Sequence, residues 1–369
     1  MYNVFGFCNL HHSPSLGQLT ESRSLASTSF LGRYAFIDFT LSNFSNSNID
    51  EVGILLKEHQ RSLIKHLGFA SSWNINTKLG HNTIMYNERY ANNPRYNTDI
   101  NNIKENDWVL IRSKADYIVV APVHFVMSID YRKVIDEHIK NKAEITVVYK
   151  HVDNGKKHFL GCDSLRIENG LIKSIRENKG ASDEVDISLE TYVINRQKFE
   201  QLVNMASEIS SVFTLKDIIS YVAKTEPVNT YMFEGFVRCY DTFNHYLEYS
   251  LELLNYSVRQ KLFLPDWPIY TVTHDTPPAK YGKDAKVSNS FIANGAVVDG
   301  TVQGSILSRR VVVSKGAKIV NSIVLTDTII GENARLENVV VDKYARIIHV
   351  KDLKGSKNEP LYIKQGDKI

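Results

Sequence analysis

Cysteine is scarce in this chain of 369 residues, which contains only Cys8, Cys162 and Cys239. Three cysteines so far apart along a sequence cannot form a disulfide framework, and their spacing matches no zinc-binding motif. We therefore expect buried free thiols in a reducing compartment.

Long hydrophobic runs are also missing. The longest nearly apolar run, residues 117–129, contains Pro122 and His124 and is too short to span a bilayer. The first residues, MYNVFGFCNLHH, lack the basic stretch that opens a signal peptide. We therefore expect a cytoplasmic protein that has no membrane partner.

The chain carries little net charge, because 44 Lys and Arg face 41 Asp and Glu, which leaves +3 with His neutral. A balance this even argues against a nucleic-acid partner, although it leaves room for a local basic pocket. The 43% hydrophobic and 23% charged residues are typical of globular proteins, and the length favours two domains.

The N-terminal part of the chain alternates between two kinds of pattern. Buried-strand patterns cover residues 2–8, 52–56, 117–121 and 145–149. Helical spacing covers residues 59–67, 131–141 and 243–253. This alternation predicts an α/β domain of parallel strands with covering helices, and places ligand sites in the loops after Cys8, Leu56 and Ala121.

The C-terminal part repeats. Its fragments NGAVV, KGAKI, ENARL and KYARI each carry an alanine two positions before an aliphatic residue. Aliphatic residues recur about every six positions, at Val313, Ile319, Leu325, Ile330, Leu336, Val341 and Ile347. This spacing is typical of a hexapeptide β-helix and disfavours hairpins, whose period is two. We predict an α/β domain at 1–262, a linker at 263–281 and a β-helix at 282–369.

Several words of the sequence closely resemble those of the glucose-1-phosphate adenylyltransferases (ADP-glucose pyrophosphorylases), which make the glucosyl donor for glycogen and starch. They are the long word LGRYAFIDFTLSNFSNSNIDEVGILL at 31–56, HLGFASSW at 66–73, KADYIVV at 114–120, IDY at 129–131, KDII at 216–219 and PPAKY at 277–281. The resemblance covers nearly the whole chain. It implies a nucleotidyltransferase domain with a Rossmann-like mixed sheet, followed by a left-handed parallel β-helix.

The phosphate-binding words of that family are altered. The family has a glycine-rich G-G-x-G-T-R-L loop where this chain has NLHHSPSL at 9–16, which puts Ser15 at the arginine position. In the family word R-A-K-P the arginine persists as Arg23, but Leu25 takes the place of the lysine that binds triphosphate. His11 and His12 could form a substitute phosphate or metal site, although a surface pair in a loop is the favoured interpretation.

The two metal-binding carboxylates that the resemblance implies are replaced as well. His124 stands at the Asp of G-D-H and Cys239 at the Asp of W-R-D-V-G-T. Mg²⁺ prefers carboxylate oxygens, and two softer ligands without a third make a poor zinc site. We expect this chain to bind no cofactor of its own, and we expect Mg²⁺ to be required by a catalytic partner.

The sugar-binding words also depart from the family. Arg176, Glu177 and Asn178 stand where the family has E-K-P. Glu190 stands at a family glycine and puts a carboxylate where the glycine leaves room for sugar, and Phe213 stands at a family aspartate.

These departures favour a catalytically silent, regulatory subunit of the GlgD type, which assembles with a catalytic homologue as a heterotetramer. The alternative is an active adenylyltransferase whose metal ligands have moved to Asp99, Asp130 or Asp241. For Asp130 a helix N-cap before residues 131–141 is the favoured interpretation, and for Asp241 a turn role fits as well as metal binding. A hexapeptide acyltransferase is disfavoured because the β-helix is short and lacks a recognisable catalytic histidine.

An anionic effector is the last expectation from the resemblance. Arg33 and Lys57 match basic positions that contribute to effector sensing in the family, and Arg95 lies in a loop that could join them. A sugar phosphate is the implied ligand, whereas each cation taken singly is better explained as a solvated surface residue.

Overall fold

The computed structural model describes residues 2–68, 73 and 82–369 of the chain. Residues 69–72 of the family word at 66–73 therefore lie outside the described residues. Two regions follow one another: helices and strands alternate as far as Leu262, and short strands alone fill the rest from Lys280 onwards.

The N-terminal region contains thirteen strands and nine α-helices among the described residues. The strands are β1 (Val4–Asn9), β2 (Ser29–Phe30), β3 (Tyr34–Ala35), β4 (Glu51–Leu56), β5 (Asn82–Tyr86), β6 (Tyr117–Pro122), β7 (Phe125–Met127), β8 (Ile145–Val152), β9 (Asp163–Glu168), β10 (Leu171–Glu177), β11 (Val185–Asn195), β12 (Asn229–Met232) and β13 (Val237–Cys239). The helices are α1 (Phe36–Asn46), α2 (Gln60–Leu67), α3 (Asp99–Glu105), α4 (Trp108–Arg112), α5 (Tyr131–Lys140), α6 (Arg196–Ile209), α7 (Leu215–Val222), α8 (Phe243–Glu252) and α9 (Tyr256–Leu262).

Nine of these strands form one mixed sheet, in the order β5-β4-β1-β6-β11-β8-β12-β10-β9. Strands β5, β4, β1 and β6 are parallel to one another, as the strand–helix alternation predicts. Strand β11 departs from that expectation, because it pairs antiparallel with both β6 and β8. The mixed sheet is the one that the family resemblance implies.

The helices cover both faces of this sheet with apolar side chains. One apolar layer contains α1, α2, α5 and α8, and includes Phe36, Leu63 and Tyr246. The other contains α3, α4, α6 and α7, and includes Phe199 and Ile218. The strands β1, β4 and β6 are buried on both faces, so their polar neighbours lie mainly in the loops at the strand ends.

The C-terminal region is a parallel β-helix with three faces. The first face is β14 (Lys280–Tyr281), β17 (Val297–Val298), β20 (Val312–Val313), β23 (Ile329–Ile330) and β26 (Arg346–Ile347). The second is β15 (Lys286–Ser288), β18 (Thr301–Gln303), β21 (Lys318–Val320), β24 (Arg335–Glu337) and β27 (Asp352–Lys354). The third is β16 (Phe291–Ile292), β19 (Ile306–Leu307), β22 (Ile323–Val324), β25 (Val339–Val341) and β28 (Leu361–Ile363).

The predicted hexapeptide period is confirmed. All seven aliphatic residues of the repeat are buried at 1% exposure or less, and so are the alanines of the four fragments. Lys318 pairs with Arg335 and Arg335 pairs with Asp352, so each of these coils returns after 17 residues. One aliphatic residue per side fills the narrow interior.

The third face of the β-helix packs against the α/β region. Ile306, Ile323 and Val340 belong to the same apolar layer as α1 and α8. Gly32 lies in the β2–β3 turn with φ +73°, and a Cβ there would lie 2.9 Å from the Leu307 carbonyl oxygen. The close approach and the left-handed backbone both favour glycine at this contact.

None of the helices among the described residues is both long enough and apolar enough to cross a membrane.

Candidate functional site

The candidate site lies where β1, β4 and β6 end. These three strands are adjacent and parallel, so the loops that follow them meet at one edge of the sheet, as the sequence predicts. Strand β1 has β4 on one side and β6 on the other, so this edge is also where the strand order switches.

The loop after β1 corrects one expectation. His11 and His12 are not a surface pair, because His11 is 5% exposed and His12 is mostly enclosed. The Asn102 amide donates to His11 Nε2 (3.0 Å), so the opposite nitrogen, Nδ1, carries the proton and donates to the Asn97 carbonyl (3.1 Å). Burial lowers the pKa of His11, which keeps this ring neutral and structural.

His12 belongs to a buried group of charges, which we call the Glu190 cluster: Glu190, His12, Lys216 and Asp163. His12 Nδ1 lies 3.4 Å from Glu190 Oε2, and Lys216 Nζ lies 3.4 Å from Glu190 Oε1. Lys216 also lies 3.2 Å from an Asp163 carboxylate oxygen. The cations of this cluster are thus paired with its own carboxylates.

The backbone of Glu190 is as unusual as its side chain. It lies in an irregularity of β11 between Ser188 and Thr191, with φ +47°, in the left-handed region that glycine favours. A non-glycine residue there costs about 1–3 kcal/mol. The family glycine at this position is thus explained by backbone conformation as well as by space for sugar. Here the ion pairs offset the strain.

The pKa values of the cluster favour its charged forms. Burial alone raises the pKa of Glu190, but the hydrogen bond from His12 and the charges of His124, His12 and Lys216 outweigh it and lower the pKa to about 2. Burial alone lowers the pKa of His12, but Asp99 and Glu190 outweigh it and raise the pKa.

The two positions of the family's metal carboxylates do meet in space. Strand β13 pairs with β7, and Tyr240 N donates to the His124 carbonyl (2.8 Å), so Cys239 and His124 lie on adjoining segments. Both side chains are buried, and His124 Nδ1 has no hydrogen-bond partner among the described residues. The thiol of Cys239 contacts that of Cys162 instead of a metal-binding group.

These residues do not fit Mg²⁺, which requires hard oxygen ligands. Among the described residues, no group of three His, Cys, Asp or Glu side chains could hold a metal ion.

The three aspartates of the alternative hypothesis are engaged elsewhere. Asp99 is fully buried and accepts from the Asn9 amide (2.8 Å) and from the backbone N–H of Ile100 (2.8 Å) and Leu215 (3.0 Å). Asp130 accepts from Arg132 N and caps α5, which confirms the N-cap prediction. Asp241 is ion-paired with His245, one turn further along α8.

A small cavity of about 280 Å³ lies at the positions of the family's phosphate-binding words. Its wall includes Ser15, Leu25, Arg23 and Lys57. Ser15 is exposed and accepts from Gly17 N (3.2 Å), and Leu25 is buried. Leu25 thus presents an apolar side chain where the family has a phosphate-binding lysine.

Arg23 has a partner that sequence reasoning missed. Its two terminal nitrogens donate to the two carboxylate oxygens of Asp342 at 2.7 and 2.6 Å, and one of them also donates to Gln365 (2.8 Å). Asp342 is fully buried in the β-helix and also accepts from the Tyr362 hydroxyl (2.6 Å). The family's phosphate-binding arginine therefore joins the two regions of this chain.

The sugar-side positions take structural roles. Arg176 and Glu177 are exposed on β10. Asn178 is buried, and its amide donates to the carbonyls of Gly155 (2.9 Å) and Phe159 (3.0 Å), which fixes the loop before β9. Phe213 packs against the apolar layer of α6 and α7.

The three predicted effector residues lie apart. Arg33 lines a cavity of about 490 Å³ between the α/β region and the β-helix. Lys57 lines the smaller phosphate-position cavity instead, and Arg95 is exposed on a loop. Sequence reasoning missed Arg259, His274 and Arg309, which line the larger cavity with Arg33.

Known proteins resemble this chain over both regions. The nucleotidyl transferase family matches residues 15–255, and the GlmU-like C-terminal hexapeptide family matches residues 277–353. With its three parallel faces, the second match identifies the C-terminal region as a left-handed parallel β-helix.

Individual relatives match most of the chain. Glycogen biosynthesis protein GlgD of Bacillus subtilis is 30% identical over 95% of this chain and 92% of its own length. GlgD of Geobacillus stearothermophilus is 32% identical over 83% of this chain and 79% of its own. Glucose-1-phosphate adenylyltransferase of Fervidobacterium nodosum is 30% identical over 88% of this chain and 79% of its own.

Proposed function

The chain belongs to the nucleotidyl transferase family, among the relatives of GlgD and the glucose-1-phosphate adenylyltransferases, and from this premise we propose that it is a catalytically silent, regulatory subunit of an ADP-glucose pyrophosphorylase. Its homologues support a role in glycogen biosynthesis. The ion pairs and the metal positions of the candidate site support the silent role.

One observation carries the proposal: three cations of the candidate site are paired with carboxylates of the chain itself. Lys216 and His12 pair with Glu190, and Arg23 pairs with Asp342. Attack of a sugar phosphate on a nucleotide phosphate needs free positive charge to offset the negative charges that it brings together. Cations already paired inside the protein do not supply that charge.

The metal positions support the same conclusion. Mg²⁺ neutralises phosphate charge in transfers of this kind, and His124 and Cys239 are poor ligands for it. We therefore propose that Mg²⁺ and nucleotide turnover belong to a catalytic partner subunit.

The β-helix supports assembly with that partner. The strands of its first coil, β14 and β15, pair on one side only among the described residues, with β17 and β18. Tyr281 is 52% exposed and Val287 is 37% exposed on these strands. An open strand edge with exposed apolar side chains is a surface that another chain covers. We propose a heterotetramer with the catalytic homologue.

The purified chain alone is expected to form no detectable ADP-glucose from ATP and glucose 1-phosphate in the presence of Mg²⁺, because it lacks both metal carboxylates and because Arg23, His12 and Lys216 are already paired with carboxylates of the chain. The measurement is a coupled pyrophosphate-release assay, with a catalytic homologue from the same organism as the positive control. Robust turnover by the isolated chain would refute the silent role.

The same assay tests the regulatory role when the two proteins are co-expressed. A mixed oligomer should co-purify, and its rate or effector response should differ from that of the catalytic homologue alone. A homologue that neither co-purifies nor changes its kinetics contradicts the partner proposal and leaves the silent role standing.

We also propose that an anionic effector, such as a sugar phosphate, binds in the cavity between the two regions. Arg33, Arg259, Arg309 and His274 line it, and none of its described lining residues is an Asp or Glu. Burial and the charge of Arg33 lower the pKa of Arg309. Cations that repel one another in a partly enclosed space are stabilised by an anion.

Replacement of Arg309 by Ala is expected to weaken binding of a sugar bisphosphate at least tenfold, which corresponds to about 1.4 kcal/mol for a lost charge-assisted contact. Isothermal titration with a sugar bisphosphate, and with inorganic phosphate as a second probe, measures the loss. Arg335→Ala is the matched control, because Arg335 is exposed on β24 away from the cavity lining. Equal affinity in wild type and both variants contradicts this site.

A further inference from the structure

Two of the three cysteines meet in the fold. Cys162 Sγ lies 3.7 Å from Cys239 Sγ, although 77 positions separate the residues along the chain. Both are free and buried, at 7% and 2% exposure. The third cysteine, Cys8, is also free and lies fully buried in β1.

The backbone holds both sulfurs in this position. Cys162 immediately precedes β9, and its carbonyl accepts from Asn178 N (2.8 Å). Cys239 ends β13 and pairs with Phe125 of β7. The contact is thus made by two tethered segments, and the two sulfurs need to approach from 3.7 Å to about 2.05 Å to form a disulfide.

We propose that Cys162 and Cys239 form a redox-modification site, which a hydroperoxide converts to an intramolecular disulfide. This inference is independent of the silent role, because it needs no bound nucleotide, metal or partner subunit.

The chemistry balances with hydrogen peroxide as the oxidant. One of the two sulfurs, as a thiolate, attacks one peroxide oxygen, the O–O bond breaks, and a sulfenic acid and one water result. The other sulfur then attacks the sulfenic sulfur, the S–O bond breaks as the S–S bond forms, and a second water leaves. The two thiols together lose two electrons and two protons, and the peroxide is reduced to two waters.

Oxidation would link the segment just before β9, where Cys162 precedes Asp163, to the end of β13. Asp163 pairs with Lys216 of the Glu190 cluster, so the disulfide would restrict the movement of one side of the candidate site.

The test is a thiol count on the full chain after native treatment with hydrogen peroxide, removal of the peroxide and denaturation. Free thiols should fall from three to one, a tryptic map should show the 162–239 cross-link, and dithiothreitol should restore all three. The matched variants distinguish the sulfurs. Cys8→Ser should fall from two thiols to none, whereas Cys162→Ser and Cys239→Ser should form no intramolecular cross-link.

Three outcomes overturn the proposal: three thiols that persist in native peroxide, a cross-link that includes Cys8 or a second molecule, or over-oxidation to sulfinic acid without a disulfide. The wild-type peptide map decides the matter even if a serine variant does not fold.

Discussion

Replacement of Arg23 by Ala is expected to lower the free energy of unfolding by about 3 kcal/mol. Arg23 is 5% exposed, and its removal leaves the fully buried Asp342 carboxylate without its cation. The Tyr362 hydroxyl and the Lys343 backbone N–H still donate to that carboxylate, which keeps the loss at the lower end for a broken buried pair. Urea denaturation at neutral pH measures it.

A matched control separates burial from the ion pair itself. Arg310 also makes a bidentate contact, in which its Nε and Nη2 donate to the two carboxylate oxygens of Asp327 at 2.6 and 2.7 Å, but its side chain is 46% exposed. Arg310→Ala is expected to cost no more than about 1 kcal/mol, because water screens and replaces an exposed pair. Equal losses in the two variants would show that the Arg23 contact contributes no more than a surface pair.

The second large effect is expected for Glu190→Gln, which should lower the free energy of unfolding by about 3 kcal/mol at pH 5.5. Glu190 is buried, and its pKa falls from an ordinary 4.5 to about 2. That difference corresponds to about 3 kcal/mol of preference for the ionised form. The amide keeps the size of the side chain but cannot pair with Lys216 and His12 as a charge.

The pH dependence of this loss follows from the directions of the pKa shifts. The folded pKa of Glu190 is lowered, so its contribution is full above about pH 4.5 and disappears as the pH falls towards 2. The pKa of His12 is raised above 6.5, so its contribution is full below 6.5 and disappears as the pH rises through its folded pKa. The difference between wild type and variant should therefore be largest between about pH 4.5 and 6.5.

Glu184→Gln is the matched control for this experiment, because Glu184 also pairs with a histidine, His151 (2.7 Å), but is 67% exposed. Its stability should change little at any pH. A Glu190→Gln variant with the same small and pH-independent change would contradict the assigned role of the cluster.

Structural features that depend only on a short stretch of sequence were predictable. The β-helix follows from aliphatic residues that recur about every six positions, and each of them is buried as expected. The N-cap role of Asp130 depends only on the helix that follows it, and α5 begins at Tyr131. Local spacing carries this information because neighbouring positions along the chain are also neighbours in these elements.

Features that depend on distant partners were not predictable. His11 and His12 resemble a solvated loop pair until Asn97, Asn102 and Glu190 enclose them. The contact between Cys162 and Cys239 joins segments 77 positions apart, so no local sequence motif predicts it. The central antiparallel strand β11 likewise belongs to the sheet through long-range pairing and not through its own pattern.

The Arg23–Asp342 pair also has a consequence for synthesis on the ribosome. Its two residues lie 319 positions apart. A ribosome that adds about 5–20 residues per second needs on the order of 15–60 s to travel that distance. For that time the nascent α/β domain carries an arginine whose counter-charge has not been made. Any chain released by premature termination before Asp342 lacks this link between its two regions.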